Sequence, residues 1–135
     1  MRGLFRGKAG FNEDISRWDV SNVTSLLATF NRATSFNGDL SRWDVSNVTS
    51  LYAIFRGAIS FNGDLSRWDV SNVTDMRCMF YGATSFNHQL GGLWSDSTAD
   101  QTGMFEDGCP GSTAGVNIET RETVGGAGGG RGVVD

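Results

Sequence analysis

Few residues of the chain have side chains that could carry out catalysis. The 135 residues include one histidine, His88, and two cysteines, Cys78 and Cys109. A Ser/His/Asp arrangement would depend on His88 alone, and no serine lies in a nucleophile-elbow pattern. The stretch from Gly126 to Gly132 lacks the Gly-Lys-Ser/Thr ending of a phosphate-binding loop. The sequence therefore predicts no enzymatic activity, no cofactor and no metal site.

The two cysteines are too few to form a disulfide framework. Cys78 occupies a repeat position where Ala28 and Ala53 lie in earlier repeats, so we expect it to be a small packed residue. A bridge to Cys109 remains open, although nothing in the spacing favours it. Free thiols are the expected state, and they do not indicate a cellular compartment.

Charged side chains recur every 25 residues and form the candidate binding face. Repeat proteins commonly bind their partners on such an outward surface. The alternative is that the opposite charges offset one another and keep the face soluble, since exposed pairs contribute about 0 to 1 kcal/mol. The three arginines and three aspartates of this Arg–Asp face are Arg17, Asp19, Arg42, Asp44, Arg67 and Asp69.

A period of 25 residues organises most of the chain. The same phase extends to Phe5 near one end and to Met104 and Phe105 near the other. One repeat cannot bury its own apolar residues, because ordering its backbone costs more than their burial contributes. Repeats must therefore stack in register, with identical side chains in columns. The main aromatic columns are Phe11, Phe36, Phe61 and Phe86; Trp18, Trp43 and Trp68; and Phe30, Phe55 and Phe80.

The hydrophobic spacing changes within each repeat. Trp43 and Val45 alternate with charged residues, which is the period of two that is typical of a short strand. Val48, Leu51 and Phe55 then follow at the spacing of one helix face. Each unit is therefore predicted to contain a strand, a turn and a short helical segment.

Charge and repeat quality divide the chain into three segments. Residues 1–90 carry nine basic and eight acidic residues, whereas residues 91–135 carry two and seven. We predict a repeat array over 1–90, a degenerate repeat or imperfect cap over 91–108, and a flexible glycine-rich tail over 109–135.

Two further columns have both a structural and a functional interpretation. Asn22, Asn47 and Asn72 each begin an Asn-Val-Thr glycosylation pattern. Their regular spacing favours a structural role, in which the amide satisfies backbone groups of a turn. The tryptophan column could stack against sugar rings, but its alternation with valine favours an inward, packed position.

Composition and charge exclude several classes of protein. With 39% apolar and 19% charged residues, the chain is too apolar for a disordered acidic protein. No apolar run approaches the roughly 20 residues of a membrane span. No signal peptide is visible after Met1. A net charge of −4 gives no support for a nucleic-acid partner.

One string carries a family resemblance. Ser-Arg-Trp-Asp-Val-Ser-Asn-Val-Thr occurs at residues 16–24, 41–49 and 66–74, and Asp-Met-Arg-Cys-Met-Phe-Tyr-Gly-Ala-Thr-Ser-Phe-Asn follows the third copy. Residues 1–90 thereby resemble the BspA-like leucine-rich-repeat surface proteins. The resemblance implies a leucine-rich-repeat-like solenoid on secreted or surface-displayed proteins, associated with adhesion or partner binding and without enzymatic activity. The fourth unit departs from the pattern, because Trp94 comes one residue late.

The predicted fold is an α/β solenoid with short parallel strands on one face and short helical or 3-10 segments on the other. Its expected function is recognition or adhesion, with an unidentified protein or glycan ligand, at the cell surface or outside the cell. One alternative is an intracellular protein-interaction scaffold, which the lack of a visible signal peptide would suit. Another is a structural repeat fragment with no ligand of its own, associating end to end through uncapped repeat edges.

Overall fold

Stacked turns, and not sheets or helices, build the part of the chain that the structure describes. The computed structural model describes residues 1–108 and Gly111. Over that range the one helical element is a 3-10 helix, Gly92–Trp94. Strand pairing there is limited to isolated parallel bridges, which join Ser25 to Ser50, Ser50 to Asp75, and Asp75 to Asp100. The predicted α/β solenoid with parallel strands is therefore wrong, and the described residues give no support for a leucine-rich-repeat architecture.

The segment predicted as a strand is divided by tight turns. The amide of Trp43 donates to the carbonyl of Leu40 at 3.1 Å, and the amide of Val48 donates to that of Val45 at 2.9 Å. Because these amides donate hydrogen bonds within their own repeat, they are not free to pair with a neighbouring strand in a parallel sheet. The period of two around Trp43 therefore reflects inward-pointing residues on successive turns.

Aspartate and serine side chains explain why turns form there. Asp39 Oδ1 accepts hydrogen bonds from the amide and the hydroxyl of Ser41, at 2.9 and 2.6 Å. Asp44 Oδ1 makes the same two bonds with Ser46, at 3.0 and 2.6 Å. An aspartate that bonds the backbone two residues later closes a local turn. This pairing recurs in neighbouring repeats, and it competes directly with strand formation.

The segment predicted as a helix is a run of consecutive turns. The amides of Ile54 and Arg56 donate to carbonyls three residues earlier, at 3.2 Å each. The amides between them donate to the next repeat, as Phe55 does to the carbonyl of Met79 at 2.9 Å. An α-helix would instead direct every amide four residues back along its own chain. The spacing of Val48, Leu51 and Phe55 is real, but it belongs to a ribbon of turns.

Positive φ angles allow this ribbon to form. Ala53 has φ of +53° and Gly57 has φ of +69°. Each is the third residue of a four-residue turn, the position that takes a positive φ in a type II turn. We call the segments 1–8, 25–33, 50–58, 75–83 and 100–108 the turn ladder, because hydrogen bonds join each of them to the next.

The repeats stack in register as five layers, comprising residues 1–10, 11–35, 36–60, 61–85 and 86–108. Phe55 stacks on Phe30 and on Phe80, with ring centroids 5.6 and 5.7 Å apart. Phe61 stacks in the same way on the ring of Phe36 at 6.0 Å. The column continues into the fifth layer, where Phe105 lies 5.3 Å from Phe80. These aromatic columns form a continuous core.

Three tryptophans connect the layers by hydrogen bonds. The predicted inward position is confirmed for Trp43 and Trp68, which are buried, and Trp94 of the fourth unit is buried as well. It is wrong for Trp18, which is 44% exposed. The indole Nε1 donors bond carbonyl oxygens one layer earlier, from Trp43 to Ile15 at 3.0 Å, Trp68 to Leu40 at 2.8 Å and Trp94 to Leu65 at 3.0 Å.

The predicted tail, 109–135, lies outside the described residues apart from Gly111. In the part of the chain that the structure describes, no helix is long and apolar enough to cross a membrane.

Replacing Trp68 tests the role of the buried indole. Trp68→Phe removes the donor to Leu40 and leaves a void, which should lower the free energy of unfolding by about 2 to 4 kcal/mol. Trp18→Phe is the matched control, and it should cost less than about 1 kcal/mol because the Trp18 side chain is exposed. Urea denaturation measures both values. Equal losses for the two variants would contradict the packing described here.

Replacing Gly57 tests the positive φ of the ladder. An added Cβ would lie 3.1 Å from Cγ of Arg32 at a φ of +69°. Gly57→Ala should therefore lower the free energy of unfolding by about 1 kcal/mol. Gly10→Ala is the control, since nothing lies within 4 Å of its Cβ position and it has no positive φ. Thermal unfolding of both variants checks this, and an unchanged Gly57→Ala variant would refute it.

Candidate binding faces

The structure brings four of the six Arg–Asp face residues to one cavity. Arg67 and Asp69 lie one layer further on and do not line it. All six side chains are exposed. The cavity has a volume of about 380 Å³ and is lined by Ser16, Arg17, Trp18, Asp19, Val20, Arg42 and Asp44.

The aspartates of this face stabilise turns in addition to carrying negative charge. Asp19 Oδ1 accepts bonds from the amide and the hydroxyl of Ser21, at 3.0 and 2.6 Å. Asp69 makes the same bonds with Ser71. Hydrogen bonds to the carboxylate, first from the serine hydroxyl and then from its amide, lower the pKa of both aspartates. The carboxylates are thus fixed in position and ionised at neutral pH.

The arginines of the Arg–Asp face do not pair with these aspartates. In residues 1–108 the ion pairs all involve Arg77, with Asp75 and with Asp100. Arg17, Arg42 and Arg67 make no ion pair there. Their guanidinium groups therefore keep their donors available for a ligand, which the sequence alone did not reveal.

Sequence reasoning missed one residue at this face, Trp18, because it predicted a buried indole and the indole is exposed. Its ring is 5.8 Å from the ring of Phe5, at an angle of 42°. Part of the indole remains open at the cavity, between Arg17 and Asp19 in the sequence. Its residue type and spacing are the same as those of the buried Trp43, so the sequence pattern gave no signal of this exposure.

A second charged surface lies on the turn ladder. In each segment that starts at Leu26, Leu51 or Met76, positions one, four, five and eight are buried and point inward. The pairs between them are the outward positions, although the side chains of Ala28, Asn31 and Ala53 are themselves buried. We call these outward positions, with the bridge residues before them, the ladder face. Arg77 lies over the ring of Tyr52 at 5.1 Å, and Arg56 lies over that of Tyr81 at 5.3 Å. Arginine and tyrosine thus exchange places between two adjacent layers.

Arg77 is held by carboxylates as well as by Tyr52. Its Nε and Nη2 donate to the two oxygens of Asp75 at 3.0 and 2.9 Å, and Nε lies 3.9 Å from Asp100. These contacts raise the pKa of Arg77, and the hydrogen bond from Arg77 lowers the pKa of Asp75. The guanidinium is fixed, although its side chain is 48% exposed.

Two of the three Asn-Val-Thr asparagines, Asn47 and Asn72, have the structural role that their spacing predicts. Nδ2 of Asn47 donates to the carbonyl of Ser21 at 2.8 Å, and Nδ2 of Asn72 donates to that of Ser46 at 2.7 Å. These amides connect successive layers. The side chains of Asn47 and Asn72 are nonetheless exposed, because the turns that they hold lie at the surface.

His88 and Cys78 occupy separate positions. His88 Nε2 lies 2.9 Å from the carbonyl oxygen of Asn62, next to Phe86. Cys78 is a free, half-buried thiol with φ of +55°. No group of three or more metal-ligating side chains occurs among the residues that the structure describes. The expected free thiol is confirmed for Cys78, and Cys109 lies outside the described residues.

A family match identifies the chain. Residues 1–113 match the family described as "Mycoplasma protein of unknown function, DUF285". The chain belongs to this family, which is related to the BspA-like repeats. No match is found among curated proteins or among solved structures.

Removing one hydroxyl tests the turn geometry of the Arg–Asp face. Ser46→Ala removes the largest cause of the low pKa of Asp44, so that pKa should rise towards its ordinary value. Because the folded pKa is lowered, the carboxylate stabilises the fold above its unfolded pKa and loses that effect as pH falls through the folded pKa.

Arg42→Gln is the control for this measurement. The pKa of Asp44 owes nothing to Arg42, so the substitution should leave it unchanged. NMR titration of the Asp44 carboxyl carbon measures both variants. A large rise with Arg42→Gln and none with Ser46→Ala would show that an ion pair, and not the turn, sets the pKa.

Proposed function

We propose that this chain is a non-enzymatic recognition or adhesion module of a surface or secreted repeat protein. It binds a protein or glycan ligand through the Arg–Asp face. The observation that supports this proposal is the cavity of about 380 Å³, which joins two arginines, two aspartates and an exposed indole.

The chemistry of this cavity suits recognition. Arg17 and Arg42 offer guanidinium donors that form no close ion pair with a described aspartate, although Arg17 attracts Asp14 and Arg42 attracts Asp39 at longer range. Asp19 and Asp44 offer carboxylate acceptors whose positions are fixed by serine bonds. Trp18 adds an aromatic surface. Cavities with a few fixed polar groups beside an aromatic ring are typical of binding sites.

The family resemblance supports the class of function. BspA-like repeats are associated with adhesion, and the DUF285 family to which the chain belongs is related to them. The location outside the cell and the lack of enzymatic activity are part of the same proposal and rest on this resemblance.

Binding to purified candidates tests the proposal. The chain is immobilised and exposed to a panel of purified extracellular proteins and to a glycan array, with biolayer interferometry as the measurement. We expect saturable binding to at least one member. The triple variant R17E/R42E/R67E should abolish that binding without unfolding, because it reverses the donors of the face.

The control is R6E/R32E/R56E, which changes the net charge by the same amount at the ladder face. It should retain the affinity for that panel member. Retained affinity in R17E/R42E/R67E would reject the Arg–Asp face, and no saturable binding to any member would reject the recognition function.

A further inference from the structure

The three complete repeats differ at ten positions, and five of these lie on the ladder face. Nine residues, from Ser16 to Thr24, are repeated without change at 41–49 and 66–74. They form the serine–aspartate turns, the asparagine bonds and the tryptophan core. The ladder face instead changes at each layer, as in the column that holds Arg6, Asn31, Arg56, Tyr81 and Glu106.

These changes are not required by the fold. The ladder is held by backbone hydrogen bonds, which are the same in every layer whatever the side chain. The outward side chains therefore vary without breaking the stack. Repeat proteins use such positions for partner recognition, because a constant frame presents them in fixed geometry.

The variation divides the ladder face into two halves of opposite charge. The first three layers place only basic charge on it, and the last two place mostly acidic charge. Arg77 is the exception, and Asp75 and Asp100 surround it. The basic half holds Arg2, Arg6, Arg32 and Arg56, and the acidic half holds Asp75, Asp100, Glu106 and Asp107.

We propose that the ladder face binds a second copy of this chain in antiparallel orientation. In that arrangement the basic half of each copy faces the acidic half of the other. A parallel arrangement would instead place like charges together, which is unfavourable. An antiparallel pair is related by a two-fold axis and closes as a dimer. This inference goes beyond the proposed ligand binding and uses a different surface.

The middle of the face supplies the residues that such an interface needs. The two arginine–tyrosine pairs, Arg77 with Tyr52 and Arg56 with Tyr81, lie where the basic and acidic halves meet. Tyrosine and arginine are the side chains most enriched at the centre of protein interfaces. Their mutual stacking fixes their positions before the partner arrives, which reduces the entropy that binding costs.

The size of the face sets the strength of the association. Five layers about 5 Å apart span roughly 20 Å, so the face covers less than the roughly 800 Å² per partner of a stable complex. Association should therefore be weak and strongly dependent on salt, since exposed charges are screened over about 10 Å at 0.1 M ionic strength.

Two charge-swapped variants of the full chain test the proposal. Each substitution uses the residue that another layer carries at the same position, so the ladder geometry is retained. One variant, R2T/R6E/R32D/R56E, leaves Arg77 as the only basic residue of the face, and the other, D75S/D100S/E106R/D107R, makes the face basic. Sedimentation velocity measures association, and circular dichroism confirms folding.

We expect the wild type to form dimers at low salt and to dissociate at about 0.5 M salt. Each variant alone should associate at least about tenfold more weakly, because like charges then face each other. An equimolar mixture of the two should form a heterodimer. If a fourfold variant does not fold, the milder pair R32D/R56E and E106R/D107R gives the same comparison.

Three outcomes would overturn the proposal. The first is a wild type that stays monomeric at low salt together with a mixture that does not associate. The second is variants that dimerise like the wild type. The third is growth beyond the dimer, which would indicate end-to-end stacking in place of face-to-face pairing. None of these outcomes bears on ligand binding by the Arg–Asp face, which is measured separately.

Discussion

The hydrogen bonds between the segments of the turn ladder are the constraint on which the rest of the structure depends. Alternate amides, such as those of Ala53 and Phe55, point to the next layer, while the amides between them close turns within their own layer. A backbone that does both cannot be a helix or an ordinary strand. Such a backbone can continue from layer to layer only if the same turns recur at the same spacing. The repeat of the sequence every 25 residues meets this requirement.

That constraint separates the two kinds of surface. The Arg–Asp face is built from the unvarying string. Its aspartates close turns, and its arginines form no close ion pair within residues 1–108. The layers of the ladder face are joined to one another by backbone bonds, while the side chains of the bridge residues, such as Ser50 and Asp75, close turns within their own layer. The other side chains of this face change from layer to layer. One surface thus offers a uniform set of donors and acceptors, and the other offers an ordered charge pattern. The two are suited to different partners.

The sequence predicted stacking, the core columns and the asparagine bonds, because identical residues at a fixed period must contact one another. It did not predict the local conformation. The spacing of Trp43 and Val45 is the same in a strand and in successive turns, and only Asp44 with Ser46 distinguishes them. The helical spacing after Val48 likewise fits a ribbon of turns. The feature that distinguishes this ribbon from a helix is the positive φ of Ala53.

The candidate site was only partly accessible to the same reasoning. The period placed Arg17, Asp19, Arg42 and Asp44 on one surface, and the structure brings them to one cavity. Spacing could not reveal that Trp18 is open there, because exposure depends on whether a layer covers the ring. The contact between Arg77 and Tyr52 was also invisible, since it crosses layers at a position that varies.

The most direct test of the ladder is NMR detection of couplings across its hydrogen bonds. The account predicts a coupling between the amide nitrogen of Phe55 and the carbonyl carbon of Met79, and another between Ala53 and Arg77. Coupling of the Phe55 amide to the carbonyl of Leu51, four residues earlier, would mean that the segment is a helix and would contradict the account.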